Sequence, residues 1–173
     1  MTMIKKGFAR KTLFMLPVVF LLFSCGYQLV REKGIYGGDI SSVYIPIFKN
    51  QTHEPHISQY VTDAFSKELL TTGLFTINKE GSEGFLQGAI VNIKTEPHSM
   101  NISGITIEKV VTLWADMALY RKNGVFVKRW SLSESEIYRV DNIDYEEYNK
   151  TDAVKRAAAR MARRFTSLLF VEY

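Results

Sequence analysis

From Ile105 to Tyr120 an apolar residue recurs at almost every second position, and Asn123-Gly124 follows shortly after. That pattern leaves a chain few choices. A period of two is a strand with one buried face. Asn-Gly between two alternating runs is the strongest short-range signal for a β-hairpin. With Asn123 and Gly124 as a two-residue loop, Met117 falls opposite Trp130 and Ala115 opposite Leu132. These four are expected on the core face, together with Ile105, Ile107, Val111, Leu113 and Leu119, a run interrupted by Lys109. Trp114, Asp116, Ala118, Tyr120, Val127 and Arg129 then share the other face. That second face is more apolar than solvent alone requires. Scattered apolar surface residues are one reading of it. The other is a partner-facing surface that includes Trp114, Tyr120 and Val127.

The remaining segments fit around this hairpin. Val43 to Phe48 reads as a strand, with Pro46 demanding an edge or a bulge because it has no N–H to donate. A helix is expected from near Glu54-Pro55, with Ile57, Val61, Ala64, Phe65 and Leu69 on one face and Gly73 as its stop. Leu74 to Ile77 suggests a short strand. In the next strand, Phe85, Ala89, Val91 and Ile93 are expected on one face. Glu96 to Gly104, which contains Pro97, reads as a loop, and Tyr138 to Tyr148 as an acidic turn. A last helix is expected over Asp152 to Phe170, capped by Asn149 or Thr151, with Val154, Ala158, Met161, Phe165 and Leu168 inward. Lys155, Arg156, Arg160, Arg163 and Arg164 cover its other sides, as a solvated face or as a contact for an anionic membrane or ligand. The order β-α-β-β-β-α predicts an α+β two-layer sandwich. One mixed sheet of four strands, or slightly more, carries both helices on a single face.

The N-terminus carries a different signal. Lys5, Lys6, Arg10 and Lys11 precede an apolar run of eleven residues, Leu13 to Phe23. The run is too short to span a bilayer and has the charge order of a secretory signal peptide. Ser24 and the single cysteine, Cys25, follow. Leu22, Ser24 and Cys25 resemble a bacterial lipobox, from which Phe23 departs. A lone cysteine in an exported chain has no disulfide partner, so Cys25 is expected to be the lipid attachment site. Residues 1–24 are then the signal peptide, 25–42 the lipidated N-terminus and tether, and 43–173 the folded domain. By the same resemblance, Gly26 is compatible with sorting to the outer membrane.

Charge narrows the function further. The net charge of +4 comes from residues 1–24, which hold four of the 22 basic residues and no acid. The other 18 basic residues balance 18 acidic ones, so no global argument for nucleic-acid binding remains. Removal of residues 1–24 from 173 leaves 149, the size of one domain. No constellation supports catalysis, and no cofactor is implied. His53 and His56 with Glu54 fall short of the four or so ligands of a closed metal site. They are expected to flank a helix start.

The mature chain also resembles a known family. Cys25-Gly26-Tyr27-Gln28-Leu29, then Val43-Tyr44-Ile45-Pro46-Ile47-Phe48-Lys49-Asn50-Gln51-Thr52, then a helix, three strands and a terminal helix resemble the lipopolysaccharide-assembly lipoproteins LptE. The resemblance covers Cys25 to about Phe170. It implies an outer-membrane lipoprotein on the periplasmic face. Such a protein plugs the LptD β-barrel, assists its assembly and binds lipopolysaccharide. Phosphorylated lipid A needs cations, and Arg121, Lys122, Lys128 and Arg129 cluster at the hairpin as candidates. The strand–Asn-x-Thr–helix opening is also similar to periplasmic adaptor lipoproteins that activate peptidoglycan synthases or help build curli-secretion pores.

Overall fold

A computed structural model of the chain describes residues 40–140 and 142–171. Cys25, the signal peptide and nearly all of the tether lie outside them. The elements are β1 (Ser42–Tyr44), β2 (Lys49–Asn50), helix α1 (Ile57–Thr72), β3 (Thr76–Ile77), β4 (Gly84–Met100), β5 (Thr106–Arg121), β6 (Phe126–Arg139), a 3-10 turn (Ile143–Tyr145) and helix α2 (Glu146–Val171). They form an α+β sandwich with one mixed sheet ordered β3-β1-β4-β5-β6, in which β2 also pairs with β4. β1 runs parallel to β3 and β4, whereas β4, β5 and β6 form an antiparallel meander.

The core lies between the sheet and the helices. Met117 pairs with Trp130 and Ala115 with Leu132, as the Asn-Gly pattern predicts, and all four are buried. Phe165 of α2 meets the Trp130 ring edge-on at 5.1 Å. Phe65 of α1 bridges Phe165 and Phe48 at 5.4 and 5.0 Å. Aromatic contacts of this kind add to what area burial alone provides. Ile40, ahead of β1, is fully buried in the same core.

Several local expectations are corrected. The strand expected over Val43–Phe48 is interrupted after Tyr44, around Pro46, and resumes at Lys49. Helix α1 starts at Ile57, after His56 at φ 58°, and stops at Gly73 in the left-handed conformation at φ 65°. The loop expected over Glu96–Gly104 is largely strand: β4 continues through Pro97 to Met100. Past Ile90, β4 has, among the described residues, a strand partner on one side only, β5, and its register shifts just after Pro97. An edge position beside an irregularity is where a strand accepts proline. Helix α2 begins at Glu146, which places Asn149 and Thr151 inside it rather than at its cap. Asn149 instead donates from Nδ2 to the Arg139 carbonyl, at 3.0 Å.

Two face assignments also change. Phe85 and Ala89 do not share a face with Ile93. A bulge between Ile90 and Asn92 flips the alternation, so Ile93 packs against the core, while Leu86 and Ile90 do so in the first half of the strand. Just ahead of β5, Ile105 is exposed rather than buried.

Candidate functional site

The sheet face turned away from the helices carries the candidate surface. Alternation along β5 puts Trp114, Asp116 and Tyr120 there, half-buried among side chains of β4 and β6. Tyr120 stacks on Phe85 at 5.7 Å with the rings 18° apart, and Phe126 meets it edge-on at 5.8 Å. Trp114 pairs with Asn92 on one side and Ser133 on the other.

Beside the aromatic group lies a depression of about 420 Å³. Its lining includes Ile47, Lys49, Gln87, Asp116, Tyr120 and Arg129. Ile47, 76 % exposed, adds apolar surface to its rim. Asp116 is held by the Ser131 hydroxyl, which donates to Oδ1 at 2.7 Å. The depression thus joins apolar surface to two cations and one fixed carboxylate. That mixture suits an amphipathic anion or a protein surface of mixed polarity.

Val127 is not on this face, and here the expectation is corrected. Asn123-Gly124 does not form a two-residue loop. The Arg121 N–H donates to the Val125 carbonyl at 2.9 Å, and Gly124 takes φ 81°, which makes Lys122–Gly124 a three-residue loop with its glycine in the left-handed region. The extra residue is absorbed by a bulge at Val127, so Leu119 pairs with Lys128 but Tyr120 pairs with Phe126. Val127 packs against the core, and Phe126, 53 % exposed, takes the place expected for it. A two-residue register hides Phe126; reading the glycine as the third residue of the loop would have found it.

The four hairpin cations do not converge on one face. Arg129, opposite Ala118, lies on the open face and lines the depression. Lys128, opposite Leu119, lies on the helix side, with its ammonium 5.7 Å from the centre of the Trp130 ring. Arg121 ends β5 and Lys122 lies in the turn. Lys49, which no sequence pattern singled out, joins Arg129 because β2 pairs with β4 at Ala89.

Elsewhere the titratable groups serve the fold. Glu83 accepts from the Ser41 N–H at 2.6 Å and the Ser41 hydroxyl at 2.7 Å, and these bonds hold its carboxyl below the ordinary range. Burial pushes the Tyr138 hydroxyl up. Burial pulls Lys150 down, but the Glu54 carboxylate at 2.7 Å outweighs it and leaves the ammonium raised. Among the described residues, His, Cys, Asp and Glu form no group of three that could hold a metal ion. No helix among the described residues is long and apolar enough to cross a membrane.

The LptE family model, described as lipopolysaccharide-assembly, matches residues 40–169. No curated protein matches the chain. Lipoproteins are among the solved structures of similar fold. A minor lipoprotein from Acinetobacter baumannii shares 10 % identity at a TM-score of 0.52, over 77 % of this chain and 93 % of that one. A lipoprotein from Caulobacter crescentus shares 16 % at 0.51, over 70 % and 86 %. The rare lipoprotein B from Shewanella oneidensis shares 11 % at 0.50, over 75 % and 96 %.

Proposed function

We propose, from the premise that this chain belongs to the LptE family of lipopolysaccharide assembly, that it is an outer-membrane lipoprotein anchored on the periplasmic face through Cys25. In this reading residues 1–24 are a signal peptide and 25–42 the lipidated N-terminus and tether. The domain plugs an LptD-like β-barrel, assists its assembly and binds lipopolysaccharide on its way to the outer leaflet. The family match over residues 40–169 carries this reading.

The open sheet face supports it physically. A plug must bury a large surface against one partner, and the packed rings of Phe85, Tyr120 and Phe126, with Trp114 farther along the same face of β5, offer aromatic surface for that. Arg129 and Lys49 flank the adjacent depression and supply the cations a phosphorylated lipid needs. Arg121, Lys122 and Lys128 would have to act from other directions. Two or three acyl chains on Cys25 would make the anchoring stable, since one chain alone binds a membrane only marginally.

The test is recovery of the lipidated chain from outer membranes with identification of what comes with it. Recovery of a β-barrel that carries lipopolysaccharide supports the reading. Recovery of a peptidoglycan synthase, or of a multimer of this chain alone, replaces it with the adaptor reading.

A further inference from the structure

Strand β6 has β5 on one side and, among the described residues, no strand on the other. Its free edge is nonetheless occupied. Arg156 donates from an Nη to the Ile137 carbonyl at 3.2 Å, Arg160 donates to the Ser135 carbonyl, and Arg164 to the Ser133 carbonyl at 3.5 Å. The three arginines are spaced by four on α2, and the three carbonyls by two on β6. Four helical residues rise about 6 Å. Two strand residues advance about 6.6–6.8 Å. Helix and strand therefore stay in step over two full repeats, and each arginine meets the next outward carbonyl.

The intervening residues of β6 hold the arginines in place. Glu136 accepts from Arg160 at 3.0 Å and lies 3.5 Å from Arg156 Nε. Glu134 lies 3.3 Å from Arg164 and 3.6 Å from Arg160. Guanidinium groups are suited to this, because their fixed fork can serve a carboxylate and a carbonyl together.

We propose that Arg156, Arg160 and Arg164 seal the free edge of β6, and that the partner they keep out is β6 of a second copy of this chain. An exposed strand edge is a template for pairing. Self-pairing needs no foreign register: a two-fold axis at Ser135 lays the outward groups of Ser135 on those of its own counterpart, and those of Ser133 on those of Ile137 in the other copy. The same pairing sets Glu134 of one copy opposite Glu136 of the other, which is a second barrier once the arginines are gone. The seal is thus double: the arginines occupy the carbonyls, and the carboxylates that orient them repel a copy that lacks them.

The test removes both layers in the full-length chain in detergent, with Arg156, Arg160 and Arg164 changed to Met and Glu134 and Glu136 to Gln. Methionine keeps an apolar stem over the sheet. The mass by light scattering is expected to double relative to the unaltered chain. Adding Ser135→Pro is expected to return it to monomer, because it removes an outward N–H that the fold itself does not use. A five-site variant that melts cooperatively and stays monomeric overturns the proposal, as does a dimer indifferent to Ser135→Pro. If the five-site chain does not fold, oxidative trapping through Ser135→Cys decides instead. Several-fold more cross-linked dimer is expected when R160M and E136Q are added, and equal cross-linking overturns the proposal.

Discussion

The ring of Phe48 fills the space beside Gly88: a β-carbon at that glycine would lie 2.2 Å from Phe48 Cε2. Phe48 has no room to withdraw. It is 1 % exposed, its N–H donates to the buried Thr62 hydroxyl at 2.9 Å, and its ring rests on Phe65. Gly88→Ala should therefore destabilise the domain by about 1–3 kcal/mol, the usual cost of overpacking a filled core. Adding Phe48→Leu should make the double variant cost less than the sum of the two single changes. Urea unfolding of the four proteins checks this, and strict additivity would show that the two residues do not compete for space.

Trp130 gives a second test of the core. It is 6 % exposed, and its Nε1 has no hydrogen-bond partner among the described residues. Its stabilisation then comes from ring packing on Phe165. Trp130→Ala should cost about 3–5 kcal/mol. Trp130→Phe should cost clearly less than Trp130→Ala, since it keeps an aromatic ring against Phe165, gives up no hydrogen bond and leaves a smaller cavity. Equal losses for the two variants would mean that the indole N–H matters after all.

Glu83 ties the start of β1 to the β3–β4 connection, and its pKa in the folded chain is lowered, first by the Ser41 N–H. A depressed carboxyl contributes stability that is fully present above its unfolded pKa, about 4.3, and is lost as pH falls through the folded value. The stability difference between the natural chain and Glu83→Gln should therefore be constant at neutral pH and shrink below about pH 4.3. Chemical unfolding at a series of pH values measures it. A difference that grows on acidification contradicts the sign.

Trp114 tests the proposed partner surface. A charge buried at an interface without a counter-charge is costly, so Trp114→Glu should reduce recovery of the barrel several-fold. The melt of the domain should change little, because Trp114 lies on the open face. Undiminished recovery removes this face from the interface, and a collapsed melt returns Trp114 to the core.

The anchor is tested separately. Cys25→Ala should abolish incorporation of a fatty-acid analogue and leave an unprocessed precursor. Equal labelling of the two chains would end the lipoprotein reading.

Much of the fold was legible because periodicity is local. The alternation from Ile105 to Leu119 marked β5, and Asn123-Gly124 put Met117 opposite Trp130. Gly73 marked the end of α1. Signals failed where one residue shifts a register. A three-residue loop instead of two moved Val127 to the core side and brought out Phe126. A bulge at Val91 split the apparent face of β4. Pro97 suggested a loop because a sequence does not show that this part of β4 lies at an edge.

Composition and spacing along the chain determined the class of domain and the pairing at the heart of the hairpin, and charge order raised the expectation of a leader before Cys25. These depend on residues near one another in sequence, where a period of two or 3.6 leaves its mark directly. Which cations gather, and which edge is closed, depend on contacts across the fold. Lys49 lines the same depression as Arg129 because a two-residue strand pairs with β4. The arginines of α2 look like an ordinary solvated face until the helix lies along β6 and its rise matches the strand's advance. Side-chain direction at long range follows from packing, and no local pattern carries it.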